Sequence, residues 1–373
     1  MCSKQYCSSF NNDLMINVSK PYLPDIEDYI QYLRGVWDRV WLTNNGPLVN
    51  DLELKLKDYL KVNHMLLVGN GTLALQLAIK ALDLKGEIIT TPFSYIATTS
   101  SILWEGCQPV FVDIDAHTLN IDARLIEAAI TDKTTAILAT HVFGNPCDID
   151  AIDVIAKKHN LKVIYDAAHC FGTKYNGRSA FSYGDISTTS FHATKLFHTV
   201  EGGAVFTQTP ELLKKMAYQR NFGHETSETY ACVGINARNT EFHAAMGLAN
   251  LKNIDAILQS RKIQARAYDI ALAELRVRKQ KIQAGAEWNS SYYPVIFETE
   301  AQLLKSIHEL NDNWVYPRRY FYPSLSALPF VNKYATPVSD DISKRVLCLP
   351  MHHNLKQEEI DFIARLLLRA QNN

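Results

Sequence analysis

Between residues 64 and 207 the chain alternates short β-rich runs with segments of helical periodicity. The β-rich runs are HMLLVGN, EIITTP, PVFVDID, TAILATHVFG, LKVIYDAAHC, DISTTSFHATK and GGAVFT. Helical patterns separate them, as in GTLALQLAIKAL, YIATTSSILWEG and DIDAIDVIAKKHN. This alternation is typical of βαβ units, so it predicts an α/β fold with a mostly parallel sheet covered by helices on both faces.

After residue 238 the pattern changes. NTEFHAAMGLANLKNIDAILQSRKIQARAYDIALAEL has apolar residues at spacings of three and four and, apart from Gly247, no helix breaker. It predicts one long helix, or two abutting helices, leading out of the first domain. SYYPVIFE, EAQLLKSIHELNDN, WVYPRRYF and KQEEIDFIARLLLRA then predict smaller strands and helices. We predict a large domain over residues 1–250, with a helical segment before residue 60, and a small domain over residues 251–373.

Composition narrows the class of protein. With 373 residues and 47% hydrophobic residues, the chain can bury a large core. Lys and Arg total 38 against 39 for Asp and Glu, so no overall charge favours nucleic acid or an anionic membrane. The seven cysteines are scattered without a Cys-x-x-Cys pair, which fits neither a disulfide framework nor a zinc site. With no targeting or membrane-spanning pattern, we expect a cytoplasmic protein that binds neither nucleic acid, membrane nor metal.

A glycine-rich turn follows the first β-rich run. LLVGNGTLALQLAIKAL passes from strand through turn to helix, and residues 69–74 satisfy the loose pattern G-x-G-x-x-[GA]. Backbone N–H groups at a helix N-terminus attract a phosphate, although a turn that serves packing alone has the same pattern. A dinucleotide site needs an acidic residue about 20 positions further on. The next strand ends in Thr90, Thr91 and Pro92 instead, so the turn favours a single phosphate.

Two later β-rich runs end near residues of types that take part in catalysis. LKVIYDAAHC ends an apolar strand with Asp166, and STTSFHATKLFHTVEGGAVF places Lys195 five residues after Ser190 and before a Gly-Gly pair. A buried carboxylate needs a cation or a hydrogen-bond donor, and a lysine in a partly dry pocket can form a Schiff base. Taken singly, Asp166 has the alternative role of a helix cap, and Lys195 that of a solvated surface residue.

Ligands of open parallel sheets bind beyond the carboxyl ends of the strands, so these three features are expected to meet. A phosphate cradle, a buried aspartate and a lysine match the phosphate, the ring nitrogen and the aldehyde carbon of pyridoxal phosphate. Together they predict a pyridoxal phosphate enzyme in which Lys195 is the catalytic residue.

The same residues resemble the DegT/DnrJ/StrS family of sugar aminotransferases. NGTLAL, TPFSYIATTSSILWEGCQPVFVDID, YDAAHCFG, SFHATKLFHTVEGGAVF and INARNTEFHAAMGLANL match successive blocks of the family, over nearly the whole chain. The resemblance implies the fold-type-I architecture, with a seven-stranded, mostly parallel sheet between helices and a smaller C-terminal α/β domain. It also implies a homodimer with shared active sites.

The resemblance assigns roles to individual residues. Asp166 pairs with the ring nitrogen, Tyr95 stacks on the ring, and His169 lies near the ring hydroxyl. The Thr72 and Leu73 amides and the Ser190 hydroxyl hold the phosphate, and Asn236 reaches the phosphate of the neighbouring subunit. The implied cofactor-binding set is therefore Gly71, Thr72, Leu73, Tyr95, Asp166, His169, Ser190, Lys195 and Asn236.

His169 and the sequence HATK before Lys195 resemble family members that aminate C4 of a nucleotide-linked hexose. The implied reaction takes L-glutamate and dTDP-4-keto-6-deoxy-D-glucose to 2-oxoglutarate and dTDP-4-amino-4,6-dideoxy-D-glucose, an amino sugar of the kind used in O-antigen and lipopolysaccharide. The galacto epimer and amination at C3 are alternatives. Two alternatives are more distant. One is a nucleotide-dependent oxidoreductase, which only the pattern at residues 69–74 supports, and the other is a non-catalytic regulator with the same fold.

The basic, tyrosine-rich segment WVYPRRYFYPSL suits a nucleotide diphosphate, although a strand with a solvated basic face has the same composition. The predicted substrate residues are His192, Arg319, Tyr320 and Tyr322.

Overall fold

The computed structural model of the protein describes residues 15–372. Within this range the strands are β1 (Ile16–Asn17), β2 (His64–Val68), β3 (Glu87–Thr90), β4 (Gln108–Phe111), β5 (Thr134–Thr140), β6 (Lys162–Asp166), β7 (Lys174–Tyr175), β8 (Arg178–Ser179), β9 (Ile186–Ser190), β10 (Gly203–Thr207), β11 (Val277–Lys279), β12 (Ala286–Glu287), β13 (Tyr293–Phe297), β14 (Val315–Tyr316) and β15 (Val346–Leu349).

The α-helices of the same range are α1 (Ile26–Arg39), α2 (Pro47–Leu60), α3 (Gly71–Ala81), α4 (Ile96–Trp104), α5 (Ala123–Ile126), α6 (Ile149–His159), α7 (Pro210–Gln219), α8 (Glu241–Leu251), α9 (Ile254–Ala271), α10 (Glu300–Asp312), α11 (Pro337–Arg345) and α12 (Gln357–Asn372). The helices α1 and α2 lie before or up to residue 60, in the region where a helical segment was predicted.

The main sheet has seven strands in the order β2-β10-β9-β6-β5-β3-β4. Five of them, from β9 to β4, run parallel to their neighbours. Strand β10 is antiparallel to both β2 and β9, because it follows β9 through a short excursion that contains Lys195. The predicted α/β class and the mostly parallel sheet are confirmed.

Successive residues of the central strands enter different apolar clusters, as expected for strands covered on both faces. In β10, Ala204 and Phe206 pack with α1, α2 and α8, whereas Val205 packs with α3 and α7 on the opposite face. In β5, Leu138 faces α3 and Ala139 faces α6. The helices therefore form a layer on each side of the sheet.

The long C-terminal helical pattern forms two helices, α8 and α9, that meet at Lys252 and Asn253. Gly247 does not break α8. A β-carbon at this position would lie 2.6 Å from Leu52 Cδ2 and 2.8 Å from Thr199 Cγ2, so glycine allows α8 to pack closely on α2 and on the segment between β9 and β10.

Helix α9 joins two apolar cores. Its first turns, with Ile254 and Ile257, belong to the core around α2, while Ala265 and Tyr268 belong to a second core. That second core lies between α9, α10, α12 and the antiparallel sheet β11-β13-β15. This smaller α/β unit was expected, but its boundary at residue 250 stays a prediction.

The predicted strand WVYPRRYF is shorter than expected. Only β14 pairs, with β1, and the chain then makes an isolated bridge from Arg318 to Cys348 of β15. After this bridge it turns toward the carboxyl ends of the main strands. Among residues 15–372, no helix combines the length and the apolar character that crossing a membrane requires.

Candidate active site

A cavity of about 550 Å³ lies where the first turn of α3, the ends of β6 and β9, and the segment after β14 converge. Nine of the predicted site residues line it: Gly71, Thr72, Tyr95, Asp166, His169, Ser190, His192, Lys195 and Tyr320. The remaining four, which are Leu73, Asn236, Arg319 and Tyr322, are not among its lining residues. The meeting of separate strand ends at one cavity follows from the parallel sheet.

One end of the cavity is built by the N-terminus of α3 against Ser190. A β-carbon on Gly71 would lie 2.8 Å from Ser190 Cβ, so only glycine allows this close approach. The Leu73 N–H donates to the side-chain oxygen of the N-cap residue Asn70 at 2.9 Å. The Gly71 and Thr72 amides, at the start of α3, have no acceptor within the helix. The predicted phosphate-binding role of the Thr72 and Leu73 amides stays a prediction.

Asp166 forms the floor of the cavity and is buried. Its Oδ2 accepts a 2.7 Å hydrogen bond from Thr98 Oγ1, and its Oδ1 accepts from the Ala168 N–H at 3.2 Å. Thr98 is itself bonded to Ser94, which is bonded to Thr140, so three hydroxyls form a buried chain. Burial raises the pKa of Asp166, whereas these two donors and the charge of Lys195 act to lower it.

Lys195 lies in the excursion between β9 and β10, where its backbone N–H donates to the His192 carbonyl at 2.9 Å. Burial lowers the pKa of the Lys195 amine, and the negative charge of Asp166 opposes that shift. A lowered pKa makes the neutral amine available at a lower pH than for a solvated lysine, as a nucleophile or a base requires.

His169 closes one side of the cavity within an aromatic wall. Its ring lies nearly parallel to Phe321, at 6.0 Å between centroids, and 4.6 Å from the tilted ring of Tyr292. Burial lowers its pKa well below the ordinary value, so the imidazole is neutral at physiological pH. Its Nδ1 is buried and has no hydrogen-bond partner in the part of the chain that the structure describes.

The mouth of the cavity carries His192, Glu201 and Tyr95. His192 Nδ1 lies 2.8 Å from Thr194 Oγ1, and its Nε2 lies 3.6 Å from Glu201 Oε1. Tyr95 precedes α4 and is 59% exposed. These groups can contact a ligand that enters from the solvent.

Two adjacent arginines take different positions. Arg319 Nη2 donates to Glu300 at 2.7 Å and to the Lys344 carbonyl at 3.0 Å, and its guanidinium lies 3.6 Å above the Tyr322 ring. Arg319 and Tyr322 are thus held together outside the cavity. Arg318, which the predicted set omits, lines the cavity instead.

Asn236 lies in the segment between α7 and α8, where it pairs with Asn221 and accepts a 3.1 Å hydrogen bond from Arg238 Nε. Its role toward a neighbouring subunit stays a prediction. Sequence reasoning also missed Thr98, Tyr292 and Glu201. The position of Thr98, in the first turn after a parallel strand, is the one signal that could have indicated it.

The donor set of the cavity fits pyridoxal phosphate. Gly71, Thr72 and Ser190 offer donors to a phosphate, Asp166 offers a buried carboxylate to a ring nitrogen, and Lys195 offers an amine of lowered pKa. The unpartnered Nδ1 of His169 can bond a ring substituent. By contrast, residues 15–372 contain no group of three or more His, Cys, Asp or Glu that could hold a metal ion.

Residues 24–367 match the DegT/DnrJ/EryC1/StrS aminotransferase family. The chain belongs to this family. The resemblance found in the sequence is therefore confirmed, as are the fold class and the assignment as an aminotransferase. Pyridoxal phosphate is the cofactor of this family.

Individual relatives agree over most of the chain. The dTDP-4-amino-4,6-dideoxy-D-glucose transaminase of Shigella dysenteriae is 42% identical in an alignment of 358 residues that covers 93% of this chain and 97% of the relative. The crystal structure of DesI in the presence of its TDP-sugar product has a TM-score of 0.91 at 32% identity, over 96% of this chain and 94% of that chain. Spr1654 of Streptococcus pneumoniae in its PLP form has a TM-score of 0.87 at 26% identity, over 94% and 98% of the two chains.

Proposed function

We propose that this aminotransferase uses pyridoxal phosphate to move the amino group of L-glutamate to C4 of dTDP-4-keto-6-deoxy-D-glucose. The products are 2-oxoglutarate and dTDP-4-amino-4,6-dideoxy-D-glucose, so one carbonyl oxygen and one amino group change places. The observation that carries the proposal is the convergence of Lys195, Asp166 and the N-terminus of α3 on one cavity. The 42% identity to a transaminase named for this product supports the choice of sugar.

Each end of the cavity has a binding task in this proposal. The Gly71 and Thr72 amides and the Ser190 hydroxyl bind the phosphate, because a helix N-terminus with free N–H groups attracts anions. The Asp166 carboxylate, held by Thr98, keeps a proton on the ring nitrogen. When bound, the cofactor supplies an electron sink that weakens the Cα–H bond of the amino acid.

Lys195 has the central chemical task. Its Nζ takes the proton from the Cα of glutamate, and later returns a proton to C4 of the sugar. Burial lowers the pKa of this amine, which favours the neutral form needed for the first transfer. The aromatic wall of Tyr292, Phe321 and His169 keeps water away from that atom.

The test follows the visible absorbance of the purified protein with bound cofactor. L-glutamate should change the spectrum, and dTDP-4-keto-6-deoxy-D-glucose should then restore it. Mass spectrometry and NMR of the sugar product distinguish C4 from C3 amination and the gluco from the galacto configuration. Lys195→Ala should abolish both spectral changes. A spectrum that responds to glutamate but not to this sugar would rule out the proposed substrate while leaving the aminotransferase assignment intact.

The homodimer implied by the resemblance is part of the proposal. Apolar side chains around α1 support it, because Trp37 is 65%, Val40 84% and Leu42 50% exposed on the single chain. Exposed apolar groups gathered in one region are typical of a protein interface. We propose that Asn236 then reaches the phosphate site of the partner. Analytical ultracentrifugation should give twice the chain mass, and Asn236→Ala should weaken cofactor binding.

A further inference from the structure

We propose that Arg318 anchors the α-carboxylate of the amino donor, an assignment that rests on the proposed function. Each catalytic cycle brings two different anionic substrates into one cavity, an amino acid and a nucleotide sugar. Arg318 and Lys195 are the arginine and lysine side chains that line this cavity in the described part of the chain. Lys195 must lose its proton to act, which leaves Arg318 as the permanent positive charge.

The backbone fixes where Arg318 stands. Its N–H donates to the Cys348 carbonyl at 3.1 Å, and the Cys348 N–H donates back to the Arg318 carbonyl at 2.8 Å. Cys348 lies in β15, is fully buried, and packs in an apolar cluster with Ile296 and Val346. This double bridge ties the start of the arginine side chain to a rigid strand, so that the guanidinium is presented from a fixed point.

The neighbouring residue Arg319 differs from Arg318 in the partners of its guanidinium group. Arg319 already has Glu300 and the Lys344 carbonyl as partners. Arg318, by comparison, is exposed and forms no ion pair with any residue between 15 and 372. A guanidinium that faces a cavity and has no ion-pair partner of its own is available to a carboxylate of the ligand, which it can bind through two parallel hydrogen bonds.

Position favours the amino donor over the nucleotide sugar. Arg318 and Lys195 line the same cavity, as does Tyr320, two residues after Arg318. In an amino acid the α-carboxylate is bonded directly to the carbon that loses its proton. In the sugar nucleotide the diphosphate is attached at C1, across the ring from C4. An anchor beside the proton-transfer centre therefore fits the carboxylate.

The test measures the two half-reactions separately in the variant Arg318→Gln. Arg318→Lys and Arg365→Gln, the latter at a remote and exposed position, are the controls. Stopped-flow absorbance gives kcat/KM for glutamate with the pyridoxal form, and for the keto sugar with the pyridoxamine form. Arg318→Gln should lower kcat/KM for glutamate by about 10- to 150-fold, as expected for a lost hydrogen bond to a charged group. The sugar half-reaction should change less than about threefold, Arg318→Lys should recover part of the loss, and Arg365→Gln should match the wild type.

Calorimetric binding of α-methyl-L-glutamate, which has no Cα proton to lose, gives a second readout without turnover. Its dissociation constant should rise in Arg318→Gln by a similar factor. Unchanged glutamate kinetics, a loss confined to the sugar half-reaction, or equal losses in both would each overturn the assignment. A wild-type protein that ignores glutamate would instead contradict the proposed function itself.

Discussion

The hydroxyl of Thr98 donates a 2.7 Å hydrogen bond to the buried carboxylate of Asp166. The bond joins the first turn of α4 to the end of β6, two elements that are distant in sequence. It opposes the effect of burial, which raises the pKa of Asp166. Thr98 thereby helps to keep a negative charge where the proposed cofactor needs it.

Thr98→Val keeps the shape of the side chain and removes this donor. The pKa of Asp166 should rise further, and the affinity for pyridoxal phosphate should fall by about tenfold, the lower end of the range for a hydrogen bond to a charged group. The loss should grow as the pH is lowered, because the carboxylate is protonated sooner. Absorbance titrations with the cofactor at several pH values measure both effects.

Thr99→Val is the matched control. Thr99 is the next residue of α4, and its buried hydroxyl has no hydrogen-bond partner within residues 15–372. It should bind the cofactor like the wild type. Equal weakening in both variants would mean that packing in α4, and not the bond to Asp166, controls affinity.

Gly71→Ala tests the approach of α3 to Ser190. The added β-carbon would lie 2.8 Å from Ser190 Cβ, so the helix terminus or the end of β9 must move. A displaced cradle should weaken binding of inorganic phosphate and of the cofactor, each by tenfold or more, an amount of about 1.4 kcal/mol.

Gly35→Ala serves as its control, since the new methyl group in α1 would meet only the flexible end of Arg39. Cofactor titration and thermal unfolding are measured together on both variants. Normal phosphate and cofactor affinity in Gly71→Ala would show that this contact does not shape the site.

The ends of β6 and β9 could be predicted from sequence, because the apolar run of β6 stops at Asp166 and the β-branched run of β9 is followed by Lys195 and a Gly-Gly pair. The parallel topology then brings Asp166 and Ser190 to the same edge of the sheet. The bond from Thr98 to Asp166 could not be predicted in this way. It depends on the rotation of α4 about its own axis and on packing against β5, and neither leaves a local pattern.

The two arginines show a second limit. Which of Arg318 and Arg319 faces the cavity is decided by the bridge between Arg318 and Cys348, since neighbouring residues of an extended chain point in opposite directions. Such a register is a long-range property. The sequence indicated a basic segment near the site. It could not show which of the two guanidinium groups faces the cavity, because a register shift of one residue exchanges them.

Glu241→Ala should lower the free energy of unfolding by about 3 kcal/mol, as expected when buried N–H groups lose a charged acceptor. The fully buried carboxylate of Glu241 accepts from the Leu48 and Val49 N–H groups, both at 3.0 Å, and so caps the first turn of α2. Urea unfolding measures the loss. Asp153→Ala, which breaks the exposed pair with Lys157, should cost less than about 0.5 kcal/mol. Similar losses in the two variants would contradict the capping role.

His141 should make stability depend on pH. Its ring is fully buried, stacks on Tyr165 at 4.6 Å between centroids, and accepts the Cys147 N–H at Nδ1. Burial lowers the pKa of His141 to about 3, against about 6.5 in an unfolded chain. Between these values the unfolded state binds one more proton, so stability is lost as the pH falls from about 6.5 toward 3.

At pH 5 this one group should cost about 2 kcal/mol relative to neutral pH. His141→Asn keeps an acceptor for the Cys147 N–H but cannot be protonated. Its free energy of unfolding should therefore fall by about 2 kcal/mol less than that of the wild type between about pH 7.5 and about pH 5. His308→Asn, at an exposed site on α10 beside Asp312, is the control for replacing a histidine by asparagine. If His141→Asn loses as much stability in acid as the wild type, then His141 is not the group whose protonation opposes folding.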